Sequence, residues 1–185
     1  MVLEVMGRYA GWIALHSGLA GGADCILIPE IPYQTKSIYA KIMERQQQGK
    51  LFSIIVVAEG AKAVDGEWIG TKPAEGSSER IRLGGIGEKL AREIETATGI
   101  ETRCTVLGHL QRGGSPTPYD RVLATRYGVA AIDCLLEGKS GYMVALQKNQ
   151  IINMPLADIA GKPGNVPVDG DLVAAARAIN ISFGD

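Results

Sequence analysis

Two arginines, a carboxylate and an imidazole in this sequence each stand beside glycine just after an apolar run. Arg8 follows Met6-Gly7, Glu59 precedes Gly60, His109 follows Gly108, and Arg112 precedes Gly113-Gly114. A guanidinium presents a planar fork of donors that matches phosphate. A neighbouring glycine lets the backbone come close to the same anion. Glu59 has acceptors for sugar hydroxyls, and His109 can donate to a phosphate or hydroxyl, its charge adjustable near neutral pH. This is an anion-plus-polyol set. It is not a metal set, because two histidines and scattered acids lack zinc-ligand spacing. Taken singly, each residue has a plainer reading. A Gly-Arg pair is a solvated turn, Glu59 a helix cap and His109 a structural histidine, as His16 in its helical pattern is read to be. A single Arg-Gly-Gly in a chain of net charge -1 is poor evidence for RNA binding.

The elements that must position these residues alternate between strand and helix. Strands are expected at Val2–Val5, Cys25–Ile28, Phe52–Ala58, Thr102–Leu107 and Tyr142–Gln147, with another at Ile151–Met154. Helices are expected at Gly11–Leu19, Ser37–Gln48 (with Thr35 or Ser37 as N-cap), Ile86–Thr98, Pro118–Glu137 and Asp171–Ile179, most of them stopped by glycine. The run FSIIVVA suits a parallel strand covered on both faces. Polar and turn-forming residues make 61–78 a long surface loop, a length uncommon unless the loop is functional or mobile. The order predicts an α/β fold, a mostly parallel sheet with helices on both faces. In such sheets ligands bind beyond the carboxyl ends of the strands. Arg8, Glu59, His109 and Arg112 all follow strands. Arg103 stands near the start of the strand that ends before His109, about 20 Å away at ~3.3 Å per residue. If both serve one sugar phosphate, one of them must come from a neighbouring subunit.

Composition narrows the class. Hydrophobic residues at 46% and charged residues at 21% support a packed core. Net charge -1 argues against a general nucleic-acid surface. Cys25, Cys104 and Cys134 form no CxxC pair and are read as buried free thiols of a reducing compartment. No signal peptide or run of about 20 apolar residues is seen, so a soluble, cytoplasmic protein without membrane contact is expected. From composition and spacing alone the reading stops at an α/β protein with an anionic-ligand crevice. A dinucleotide-binding domain is disfavoured, since no GxGxxG follows the first strand.

Read together, the segments are more specific. Glu4-Val5-Met6-Gly7-Arg8-Tyr9-Ala10-Gly11-Trp12 resembles the strand and turn that hold the sugar phosphate in 6-phosphofructokinases. Ala20-Gly21-Gly22-Ala23-Asp24 with Ile28-Pro29-Glu30 resembles the next helix end and strand. The stretch from Glu101 to Pro116, containing Gly108-His109-Leu110-Gln111-Arg112-Gly113-Gly114, is similar to the family's most recognisable segment, and Pro118-Tyr119-Asp120-Arg121 continues it. The resemblance covers nearly the whole chain, weakest at 61–78 and after about residue 155.

The resemblance implies a phosphofructokinase-like fold with its N-terminal half missing. Residues 1–112 would be the sugar-phosphate-binding domain, 113–158 part of the nucleotide-binding domain, and 159–185 the return to the first. The start inside a strand also suggests a fragment, or a start assigned at an internal methionine. The implied reaction moves a phosphoryl group from ATP or pyrophosphate to the 1-hydroxyl of fructose 6-phosphate in glycolysis. Met6, Gly7 and Arg8 would contact the sugar and the transferring group, with Arg8 the catalytic residue that stabilises charge in the transition state. Glu59, His109 and Arg112 would bind the sugar phosphate, and Arg103 would reach an adjacent subunit of a homotetramer. The phosphate loop, the Mg²⁺ ligands and the aspartate base would all lie upstream, so no metal or cofactor ligand is assigned here. Gly22-Ala23-Asp24 falls where allosteric bacterial members bind an effector nucleotide, with Asp where Glu is usual. The isolated chain is therefore expected to be inactive. The alternative is a non-catalytic fragment that binds sugar phosphate or mixes with full-length subunits.

Overall fold

The computed structural model describes residues 1–72 and 81–185. The expected loop at 61–78 thus lies partly outside the described residues. The chain forms two compact units, one of Met1–Arg112 with Gly164–Asp185 and one of Gly113–Pro163.

The first unit is built on four strands. β1 (Val2–Val5), β2 (Cys25–Leu27), β3 (Ile55–Ala58) and a later strand, Cys104–Val106, pair in the order β2, β3, β1 and that later strand. Every pairing is parallel, with Val2 opposite both Ile55 and Cys104. Alternation along each strand divides the core into two. Val5, Ile26, Val56 and Ala58 face one cluster, and Val2, Cys25, Leu27, Ile55 and Val57 face the other. This period of two over the fully buried β2 and β3 is what a sheet covered on both faces requires. α1 (Trp12–Ala20) supplies Ala14 and Leu15 to the first cluster, as does a C-terminal helix with Val173 and Ala176. α2 (Thr35–Gln47) supplies Ile38 and Ile42 to the second, and α3 (Ile86–Thr98) supplies Leu90 and Ile94. Cys25 lies at the floor of this packing, and burial, aided by the charge of Asp24, pushes its thiol up to about 12.

Several boundaries differ from expectation for local reasons. Neither Thr35 nor Ser37 caps α2. Gln34 holds the N-cap position without a side-chain hydrogen bond, and its carbonyl accepts from Ser37. The expected strand from Phe52 begins only at Ile55. Ile54 gives its N–H to the Asp24 carboxylate (2.8 Å), and Phe52 is 69% exposed. Within the expected loop, β4 (Gly70–Thr71) pairs antiparallel with β5 (Arg82–Leu83). The strand expected over Thr102–Leu107 contracts to β6 (Cys104–Val106) and passes into a 3-10 helix, Gly108–Arg112.

The second unit holds α4 (Pro118–Leu136), β7 (Tyr142–Gln147), β8 (Gln150–Pro155) and the short α5 (Leu156–Ile159). A capping box starts α4: Asp120 donates its N–H to the Thr117 hydroxyl, and Thr117 donates its N–H to the Asp120 carboxylate (3.0 Å). β7 and β8 form an antiparallel hairpin, so the parallel order does not extend through this unit. The chain ends on α6 (Asp171–Ala178) in the first unit. Among the described residues no helix is long and apolar enough to cross a membrane.

Candidate functional site

β1 lies between β3 and β6, so the segments that follow these three strands are neighbours at the carboxyl edge of the sheet. The turn after β1 is built from Met6, Gly7 and Arg8. Gly7 has φ +149, and a Cβ there would sit 2.6 Å from the Ala10 carbonyl oxygen, so only glycine fits. Ala10 donates its N–H back to Gly7 (3.0 Å), closing the turn. Arg8 takes φ +50, a conformation uncommon outside glycine, and its side chain is exposed. Backbone strain of this kind collects at ligand-binding turns when the surroundings enforce it.

The surroundings here are side-chain acceptors. Glu59, directly after β3, takes the Gly7 N–H at 3.1 Å and the Arg8 N–H at 2.9 Å on Oε1. Oε2 accepts nothing from the described residues. Glu59 itself donates its N–H to the Val5 carbonyl (2.9 Å), extending the parallel ladder past the strand ends. Gly60 then passes so near the turn that a Cβ would lie 1.9 Å from the Arg8 carbonyl oxygen. On the other side, Gln111 accepts the Met6 N–H at 2.7 Å. That bond fixes the 3-10 helix carrying His109 and Arg112 against the turn. Both side chains are exposed, and neither is hydrogen-bonded or ion-paired to a described residue.

Gly7, Arg8 and Glu59 are therefore joined by direct hydrogen bonds, and His109 and Arg112 stand on an element whose Gln111 is bonded to Met6. Arg103 is not with them. It precedes β6, at the amino edge of the sheet, where its exposed guanidinium pairs with Glu101 at 2.8 Å. A cavity of about 240 Å³ also lies at that amino edge, lined by Ile42, Phe52, Ile94 and Ile100 among others, away from the Met6–Arg8 turn. Asp24 pairs with Arg45 at 2.8 Å and accepts from Ile54, which commits its carboxylate to holding β2 and α2 together. Among the described residues no group of three or more His, Cys, Asp or Glu side chains comes together as a metal cluster would.

Residue patterns did not reveal three parts of this arrangement. Gln111 acts through a backbone N–H, which no spacing advertises. Glu4, only 2% exposed on β1, accepts from Gly85 on both oxygens (3.0 and 3.2 Å) and from Gly87 (2.8 Å), at the N-terminus of α3. Tyr9 meets Trp68 edge-on at 4.9 Å, and the Lys62 ammonium stands 5.4 Å over the Trp68 ring. Aromatic residues either side of glycine-rich turns were the available signal for that last contact.

Comparison with known proteins decides the kinship. The sequence profile of the family described as Phosphofructokinase matches residues 1–135. The chain belongs to the phosphofructokinase family. It is 55% identical over 185 residues to an ATP-dependent 6-phosphofructokinase of Chloroflexus aurantiacus, covering 100% of this chain and 50% of that protein. It is also 48% identical over 162 residues to a pyrophosphate–fructose 6-phosphate 1-phosphotransferase of Streptomyces coelicolor, covering 88% of this chain and 47% of that protein. The fold superposes on a pyrophosphate-dependent phosphofructokinase from Nitrosospira multiformis with a TM-score of 0.74 at 25% identity, covering 100% of this chain and 48% of that one. The chain thus spans about half the length of the phosphofructokinases it matches.

Proposed function

We propose that this chain supplies the sugar-phosphate site of a 6-phosphofructokinase, which transfers a phosphoryl group from ATP or pyrophosphate to the 1-hydroxyl of fructose 6-phosphate. The observation that carries the reading is the Met6–Arg8 turn, held by Glu59 from one neighbouring strand end and by Gln111 from the other. In this reading His109 and Arg112 take the 6-phosphate, the planar guanidinium matching two phosphate oxygens. Glu59 Oε2 accepts from a sugar hydroxyl while Oε1 holds the turn. Arg8 stands where charge develops on the transferring group, and its backbone is fixed before the reaction, so no reorganisation is needed in the transition state.

Met1–Arg112 with the returning segment forms the sugar-phosphate domain, and the residues from Gly113 to about 158 are part of the nucleotide domain. Arg103, at the opposite edge of its own sheet, serves the site of an adjacent subunit in a homotetramer. Mg²⁺ and the donor, ATP or pyrophosphate, are held by residues outside those described, as is the base that takes the hydroxyl proton. The reaction belongs to cytoplasmic glycolysis. The isolated chain binds without turnover. The half-length match favours one second reading, a non-catalytic fragment that binds sugar phosphate or mixes with full-length subunits.

The test is calorimetric titration of fructose 6-phosphate into the chain and into Arg112→Ala. Arg112→Ala should weaken binding roughly tenfold to a hundredfold, as expected for losing a charge-assisted hydrogen bond. Equal affinity would remove Arg112 from the site. A chimera in which this chain replaces the 185 matched residues of the C. aurantiacus enzyme separates the two readings. Turnover with fructose 6-phosphate supports the enzymatic one, and binding without turnover supports the fragment.

A further inference from the structure

Each of the other three strands of the sheet sends one side-chain acceptor to the turn that follows β1. Gln111, after β6, takes the Met6 N–H, and Glu59, after β3, takes those of Gly7 and Arg8. Glu30, after β2, takes the Gly11 N–H on both oxygens, at 3.0 and 3.1 Å. The same Glu30 Oε1 accepts the Val166 N–H at 2.8 Å. Gly11 is the N-cap of α1 and has no side chain to cap it, so the Glu30 carboxylate is also the anion at that helix start. The fit there is close: a Cβ on Gly11 would lie 2.4 Å from Ile28 Cβ and 2.8 Å from Glu30 Oε2. A second bond joins the same two segments, for Trp12 donates its indole N–H to the Gly164 carbonyl at 2.7 Å.

We propose that Glu30 is a positioning residue for the sugar-phosphate turn, its carboxylate fixing the rear of Met6–Gly11 and fastening it to the returning segment Gly164–Val166. This rests on the sugar-phosphate reading above. Among the described residues Glu30 accepts only from backbone N–H groups, so it acts on a ligand through the path of the turn. Glu59 sets the front of the turn, where Arg8 leaves the backbone, and Glu30 sets the back. With both ends held, Arg8 keeps its φ of +50. Release of one end lets the turn relax toward ordinary backbone angles and carries the Arg8 side chain off its mark. Because Val166 shares the same oxygen, the start of the returning segment and the turn are set together.

The test compares Glu30→Ala, Glu30→Gln and a control, Ile94→Val, in the 185-residue chain. Ile94 is buried on the opposite face of the sheet, so trimming it lowers stability without touching the turn. Amide exchange is read at residues 6–11 and 164–166, with fructose 6-phosphate affinity by titration. Trp12 fluorescence is followed in a Trp68→Phe background. Glu30→Ala should speed exchange at Gly11 and Val166 by about tenfold or more, since hydrogen bonds to a charged acceptor are the strong ones. It should weaken the sugar phosphate by a similar factor and shift Trp12 emission. Glu30→Gln keeps one carbonyl oxygen for both N–H groups and should recover most of the affinity, with exchange at the two amides still about fivefold fast. Ile94→Val should lower the denaturation midpoint and leave both readouts unchanged. Wild-type exchange at Gly11 and Val166 in Glu30→Ala overturns the assignment. So does an affinity loss matched by Ile94→Val. If Glu30→Ala does not fold, unchanged exchange in Glu30→Gln overturns it instead. Failure of the wild-type chain to bind fructose 6-phosphate overturns the sugar-phosphate reading, whereas the exchange data decide the hold of Glu30 on the turn separately.

Discussion

Gly60→Ala tests whether the turn acts through its exact backbone path. Gly60 is buried directly after Glu59, and its missing Cβ would stand 1.9 Å from the Arg8 carbonyl oxygen, where ordinary contact begins at 3.4 Å. A single added methyl must therefore drive the two backbones apart by about 1.5 Å (3.4 minus 1.9). The opposing atom is a main-chain oxygen in a turn held at Gly7, Arg8 and Gly11, so it cannot swing aside as a flexible side chain would. Inserting a methyl into packed structure costs about 1–3 kcal/mol of stability. The effect on function is larger, because a misplacement of ~1 Å costs on the order of a hundredfold in rate. The assay is steady-state kinetics in the C. aurantiacus chimera, with a urea melt of the 185-residue chain. The expected result is a fall in kcat/KM of about a hundredfold beside a modest loss of stability. Wild-type kinetics with Gly60→Ala folded would refute the view that the path of the turn positions Arg8.

Other consequences are equally concrete. Replacing Arg8 by Ala in the chimera should lower kcat more than it raises KM, because its proposed interaction forms in the transition state; a pure KM effect would reassign it to ground-state binding. Glu4→Ala leaves the Gly85 and Gly87 N–H groups unpaired in a buried site, and should cost about 1–3 kcal/mol for each in a denaturation melt. A cost under ~0.5 kcal/mol, the usual range for surface changes, would show that water replaces the carboxylate. At the C-terminus, hydrogen bonds from Arg177 hold the Asp185 carboxyl below the usual aspartate range. The depressed value means that this pair stabilises the fold above the ordinary aspartate range and loses its contribution as pH falls through the folded value. Asp185→Asn should flatten that acid limb of the stability curve, and an unchanged limb would place the acid-sensitive group elsewhere.

How much of the site was legible follows from how each residue works. Arg8, Glu59, His109 and Arg112 were visible because charged side chains beside glycine mark strand ends in an α/β chain. Glu30, Gln111 and Glu4 were not visible as site supports. Each accepts hydrogen bonds from backbone N–H groups far away in sequence, Gln111 from Met6, Glu30 from Val166 and Glu4 from Gly85. Every residue except proline offers that donor, so the pairing leaves no mark on residue type. The 3-10 helix at Gly108–Arg112 and the hairpin of β7 and β8 were missed for a related reason. Local periodicity tells a strand from a helix but not which strand lies beside it, nor whether the pair runs parallel.

The alternation of strands and helices, the double-sided burial of β1 to β3 and most helix stops were set by the order of apolar residues and glycines along the chain, because side-chain period and backbone freedom are local properties. The placing of β1 between β3 and β6 was decided only in three dimensions. So was the three-sided grip on the turn after it. Those features depend on which segments meet after the core has closed, and a hydrogen bond spanning a hundred residues has a direction only once both ends are in place.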